Sequence, residues 1–201
     1  TDAVIHHSAW GEARMRQRHR FDDRCLHRVI PHGHFGHEWE ASGRPERAEA
    51  ERRLGLAPTG LRIGLVGAPR QEKLVQEVLD GVAASSRDDV EVVCWSLRGD
   101  EVVPDDPRIA IAEPYRHVDP GVYATRLAAC DVLALVFDQH GDMLTTGAAG
   151  DAVGLGLPTL RSQWGYLVEH LGDAGIPVGQ AAESIADALE ALTEADLVSA
   201  R

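Results

Sequence analysis

Apolar residues gather in short unbroken runs along most of the chain: Arg62-Ile63-Gly64-Leu65-Val66-Gly67, Glu91-Val92-Val93-Cys94-Trp95, Arg108-Ile109-Ala110-Ile111 and Val132-Leu133-Ala134-Leu135-Val136. Runs of this length without polar alternation have the composition of strands buried on both faces. Between them the period lengthens. Over Gln71 to Ser85, the residues Leu74, Val75, Val78, Leu79 and Val82 share one face at helical spacing. Helices are also predicted over Gly121 to Ala129, from Thr146 onward, over Gly165 to Leu171 and over the acidic stretch Ala181 to Leu192. Pro158 to Arg161 reads as a short strand and Gly175 to Val178 as an edge strand. Strands that alternate with helices predict an α/β fold: a Rossmann-like, doubly wound parallel sheet with right-handed crossovers.

The chain before Ala57 is less regular. Asp2 to His6 reads as a strand, Gly11 to His19 as a polar, arginine-rich helix, and Arg28 to Gly33 as a second strand ending in a turn. After a loop, Arg44 to Leu56 predicts a helix, with Pro45 in its first turn and Gly55 as its C-terminal cap. Ala57-Pro58-Thr59-Gly60 is a boundary. No internal repeat or low-complexity segment is evident.

Composition narrows the classes. The 201 residues suffice for one good-sized domain, or one domain and a piece of another. A net charge of −12 argues against general affinity for nucleic acid or an anionic membrane. The charge is uneven: residues 11–30 carry six arginines against Glu12, Asp22 and Asp23. Those arginines can meet an anionic acceptor, a lipid phosphate or another part of the protein, although solvated helix faces are the commoner explanation. Three widely spaced cysteines do not form a disulfide framework, so reduced core thiols and a cytoplasmic setting are expected. No run has transmembrane length and no signal peptide is visible. The chain opens on Ala3-Val4-Ile5 without an initiator Met, and we expect a fragment of a longer protein.

In doubly wound sheets, ligands bind outside the carboxyl ends of the strands. Three loops should meet there: Gly67 to Lys73, Ala112 to Asp119 and Phe137 to Gly147. The first places Arg70 and Lys73 at the mouth of a helix, and Lys73 is the sole lysine of the chain. A cation in a first helical turn opposes the helix dipole, which favours an anionic partner over an ordinary exposed charge. The third loop runs through Asp142 into Thr145-Thr146-Gly147, two hydroxyls and a glycine whose N–H can be closely approached at a helix N-terminus. A plain N-cap by either threonine fits those residues equally well. Asp151, one to two turns into that helix, is either a ribose ligand or a solvated carboxylate. His32, His34 and His37 fall within six residues, but no cysteine or acidic residue completes a zinc spacing, so no metal site is assigned. Cys94, Trp95 and Cys130 read as core.

Five stretches, in order, resemble the retaining glycosyltransferases of family 4, which have the two-domain GT-B fold. Asp2-Ala3-Val4-Ile5-His6-His7-Ser8 is similar to the last strand of that family's N-terminal domain, and Val29-Ile30-Pro31-His32-Gly33 to the crossover into the second domain. Leu65-Val66-Gly67 with Arg70 and Lys73 is similar to the glycine loop and basic pair that hold the donor diphosphate. Ala128 to Leu133 and Leu144 to Pro158 resemble the step before the fourth strand and the donor-binding helix with its Gly-Leu-Pro exit. The resemblance implies the C-terminal half of a GT-B fold. Residues 1–40 would end the acceptor domain and cross over, and residues 41–201 would bind the nucleotide-sugar.

It further implies Arg70 and Lys73 as catalytic groups on the diphosphate, joined by Gly67, Thr145, Thr146 and Gly147. Backbone at Ala112 and Glu113 would edge the base, and Asp151 would meet the ribose. Eight residues before Asp151, where the family has a glutamate on the sugar, stands Met143, with Asp142 beside it. The basic pair replaces a metal in that family, so neither metal nor cofactor is expected beyond the nucleoside-diphosphate-sugar donor. The expected partners are that donor and the missing N-terminal acceptor domain. A lipid-linked or membrane-peripheral acceptor at the inner membrane face is an open alternative.

Two other readings use the same residues. One is a nucleotide-sugar epimerase or phosphorylase on this fold. The other is a non-catalytic α/β nucleotide-binding module, which expects Arg70 and Lys73 to lie apart from Thr146.

Overall fold

The computed structural model describes residues 2–34, 36–138 and 145–200. Two parallel sheets form. The smaller pairs β1 (Ala3–His6) with β2 (Leu26–Val29), connected through α1 (Ala9–Arg18). Next come α2 (Gly36–Ala41), in a stretch expected to be loop, and α3 (Arg47–Leu54), which ends as expected on Gly55 in the left-handed region. The larger sheet follows as β3 (Leu61–Leu65), α4 (Val75–Ala84), β4 (Val90–Leu97), β5 (Ile109–Pro114), α5 (Pro120–Ala128), β6 (Val132–Leu135), α6 (Gly147–Leu155), β7 (Thr159–Arg161), α7 (Gly165–Leu171), β8 (Gly175–Pro177), α8 (Ala182–Ala191) and α9 (Glu194–Ser199). Its six strands lie in the order β5-β4-β3-β6-β7-β8, all parallel. This is the doubly wound order, which reverses between β3 and β6 and opens a crevice at their carboxyl ends.

Both faces of the sheet are covered, as the unbroken apolar runs require. Alternate strand residues point to opposite sides. Leu61, Ile63, Leu65, Val92 and Cys94 pack with α4 and α8, whereas Val93, Trp95 and Leu133 pack with α5 and the neighbourhood of Trp39 and Leu54. Every residue of β3 and β6 is buried.

The end of the sheet away from the crevice is tied by charge. Arg62 is wholly buried; its Nε donates to Glu91 at 2.6 Å, its Nη1 to Glu51 at 2.6 Å and its Nη2 to the Ala57 carbonyl at 2.5 Å. Asp131 accepts from the Arg62 backbone N–H at 2.7 Å and pairs with Arg47. These bonds lock α3 against the starts of β3 and β6. Among the described residues no helix is long and apolar enough to cross a membrane.

The first segment joins the larger unit through α7. The Glu169 carboxylate accepts the N–H groups of Ala9 at 2.7 Å and Trp10 at 2.8 Å, satisfying two orphan donors at the start of α1. The Trp10 ring packs so tightly on Gly165 that a Cβ there would stand 2.1 Å from it.

Candidate functional site

A cavity of about 570 Å³ opens at the carboxyl ends of the strands, within the size range of small-molecule sites. The loop after β3 supplies Gly67, Ala68, Arg70 and Lys73; the start of α6 supplies Thr145, Thr146, Gly147, Ala148 and Asp151. Trp95 of β4, Tyr115 to Val118 after β5, and Tyr123 and Arg126 of α5 line the other end, with His32 and Trp39 from the first segment. Arg70, Lys73 and Thr146 thus line one cavity.

Lys73 differs from its expected setting. Helix α4 starts at Val75, so Lys73 precedes the helix instead of lying in its first turn. Tertiary pairing fixes it there: Lys73 bridges Phe137 in antiparallel fashion, and the Leu74 N–H donates to the Val136 carbonyl at 3.1 Å. The side chain is buried at 4 % exposure; its ammonium donates to the Val66 carbonyl and to the Ser96 hydroxyl at 2.8 Å. Ser96 in turn donates to the Gly67 carbonyl at 2.8 Å. Burial drives the Lys73 pKa down to about 8, with the neighbouring Cys94 thiol opposing, and among the described residues no carboxylate pairs with it. Gly67 has a φ of +85°, so a side chain there would strain the turn that aims these carbonyls. Arg70 is exposed at the mouth.

At the opposite wall, Thr146 takes the cap position of α6 in an extended conformation, and its side chain makes no capping bond. The first turn leaves the Gly147 and Ala148 N–H groups without intrahelical acceptors, and both residues line the cavity. A buried lysine, an exposed arginine and a helix N-terminus, the kinds of group that favour an anion, thus meet on one cavity.

Asp151 is buried, not solvated. One carboxylate oxygen accepts the Trp39 indole N–H at 3.0 Å and the other the Tyr123 hydroxyl at 2.9 Å. Burial raises its pKa, opposed by those two bonds. Asp151 therefore clasps α2 and α5 to α6, and each oxygen retains a lone pair for a ligand hydroxyl.

Ala112 and Glu113 lie outside the lining. Strand β5 runs on to Pro114, past the expected end at Ile111, so both residues are still in the strand, and Tyr115 begins the loop that faces the cavity. Ala112 packs towards the core and Glu113 pairs with Arg126 at 3.7 Å. Asp142 and Met143 lie outside the described residues.

The sequence reading missed Trp95, Tyr123 and Arg126 as cavity residues. Tyr123 and Arg126 stand three apart on one helix face, an aromatic and a charge amid small and apolar residues, and that was the available signal. The guanidinium lies 5.0 Å from the centre of the Trp95 ring.

Of His32, His34 and His37, only His32 reaches the cavity. Among the described residues, the single metal-compatible group is elsewhere: His6, Glu12 and His27 bring ligand atoms within 4.8 Å of one another. There the two imidazoles already hydrogen-bond each other at 2.8 Å, and Glu12 holds Arg16 at 2.8 Å.

The sheet order and the crevice define the class: a Rossmann-like α/β fold matching the C-terminal domain of GT-B glycosyltransferases. Among solved structures, sucrose-phosphate synthase from Thermosynechococcus elongatus superposes with a TM-score of 0.71 at 19% identity, over 100% of this chain and 51% of that one. Anabaena HepE in complex with UDP and glucose gives 0.70 at 16% identity, over 100% and 56%. A glycosyltransferase from Rickettsia africae gives 0.72 at 12% identity, over 99% and 56%. The chain spans about half the length of these proteins. No protein-family model and no curated protein sequence matches it.

Proposed function

We propose that this chain is the donor-binding part of a GT-B glycosyltransferase of the retaining, family 4 type. It would transfer a sugar from a nucleoside-diphosphate sugar to an acceptor held by a further domain. The observation that carries the reading is Lys73: a buried ammonium on the cavity wall, without a carboxylate partner among the described residues, lining the same space as the start of α6. An unpaired buried charge is costly, and a bound diphosphate would supply the missing counter-charge.

In this reading the diphosphate lies between Lys73, Arg70 and the Gly147 and Ala148 N–H groups. As the glycosidic bond breaks, the leaving diphosphate gains about one negative charge, and cations already fixed there favour the transition state over the bound donor. Asp151 accepts from the ribose. Residues 1–40 belong to the acceptor side and the crossover, so this part alone binds donor and transfers little. The module reading, which expects Arg70 and Lys73 apart from Thr146, is disfavoured by their common cavity.

Calorimetry with UDP, GDP and ADP tests the proposal. At least one should bind below millimolar, and Lys73→Met should weaken it about thirtyfold or more, the loss of one charge-assisted hydrogen bond. Absence of binding by all three, or indifference to the substitution, would overturn the proposal.

A further inference from the structure

The cavity carries a second cationic wall. Arg126 lies on α5 and lines the cavity together with Trp95 of β4. Its guanidinium is held over the Trp95 ring, and its side chain is only 13% exposed. Nε is sealed from solvent with no hydrogen-bond partner among the described residues. Among the described residues its ion pair is with Glu113, whose carboxylate oxygen stands 3.7 Å from Nη2, beyond hydrogen-bond reach, and Glu113 is itself exposed. Burial lowers the Arg126 pKa, with Glu113 opposing and Arg116 adding to the fall. A largely desolvated guanidinium thus lines the cavity beside three aromatic rings, Trp95, Tyr115 and Tyr123, the setting for a flat heteroaromatic ligand.

We propose that Arg126 reads the donor's nucleobase and selects one presenting a carbonyl oxygen, as uracil and guanine do, over adenine. This rests on the reading of the cavity as a nucleoside-diphosphate site. Arginine offers donors and no acceptor. A base carbonyl presents two lone pairs to its donors, whereas adenine presents single-lone-pair ring nitrogens beside a 6-amino donor that opposes them. Arginine stacked on Trp95 is also held in orientation, which makes the selection geometric.

The test is calorimetry of the whole chain and its Arg126→Gln and Arg126→Lys variants with UDP, GDP, ADP and inorganic pyrophosphate, the last a probe without a base. In the wild type, UDP or GDP should bind roughly ten- to a hundredfold more tightly than ADP. Arg126→Gln should collapse that ratio towards one while pyrophosphate binds as before; Arg126→Lys, which keeps the charge and the stem over Trp95, should lose most of it. An unchanged ratio in both variants, or equal weakening of all four ligands, would assign Arg126 a structural role and overturn the inference. ADP binding as tightly as UDP and GDP in the wild type would do the same. Failure of every nucleoside diphosphate to bind would instead remove the cavity reading on which the inference stands.

Discussion

Lys73 donates to the Ser96 hydroxyl at 2.8 Å, and among the described residues no carboxylate balances its charge. That pairing sets opposite pH dependences for the free and the ligand-bound protein. The folded pKa of about 8 lies below the ordinary lysine value of 10.5. Between those values the unfolded chain holds the extra proton, so this group makes the free protein more stable as pH rises from about 8 to 10.5.

Diphosphate binding runs the other way. The ligand favours the protonated lysine, so affinity should hold below pH 8 and fall by up to about tenfold per unit above it. Calorimetric titrations across pH 7 to 10, with Lys73→Arg as the control whose charge persists, measure this. A flat profile in the wild type, or the same slope in the control, contradicts the assignment.

The position of α6 rests on a contact of backbone with backbone. A Cβ on Gly154 would stand 2.7 Å from the Gly36 nitrogen, and one on Gly36 would stand 2.0 Å from the Gly154 carbonyl oxygen. This closeness lets α2 bring Trp39 to Asp151. Gly154→Ala should cost about 1–3 kcal/mol by overpacking, a fall in Tm of roughly 3–10 °C. It should also weaken nucleotide binding through the displaced Trp39. Unaltered melting would mean that the two helices part without cost.

Arg62 makes a stability prediction far from the cavity. Its removal takes from Glu91 the cation at 2.6 Å and leaves the buried Glu51 with Arg47 alone. Arg62→Ala should destabilise by about 3–5 kcal/mol, the penalty of stranding buried charge. Urea unfolding checks this, and a loss under about 1 kcal/mol would contradict it.

The architecture was legible because burial on two faces writes itself into the strands: Val132 to Leu135 and Leu61 to Leu65 are apolar or small but for Arg62. Helix faces were legible for the same reason, Val75, Val78, Leu79 and Val82 all being buried. Boundaries set by tertiary pairing were not. The periodicity around Leu74 cannot show that Lys73 is held outside α4 by Phe137, nor that β5 persists to Pro114 and carries Glu113 away from the cavity. Trp95 read as core from its apolar run and is indeed 3 % exposed, but a strand that ends at a crevice shows its last rings to the ligand side. Asp151 carried too little local context to distinguish a solvated carboxylate from one bonded to Trp39, 112 positions away.

Because Lys73 is the sole lysine, labelling with [ζ-15N]lysine gives one ammonium signal from the whole chain. The direct test is to titrate that signal by NMR, free and saturated with UDP or whichever nucleoside diphosphate binds most tightly. The account predicts a free pKa of about 8, shifted upward in the complex by one unit or more as the diphosphate becomes the missing counter-charge. A signal that titrates at the ordinary lysine value in the free protein, or that does not move when nucleotide binds, would contradict it.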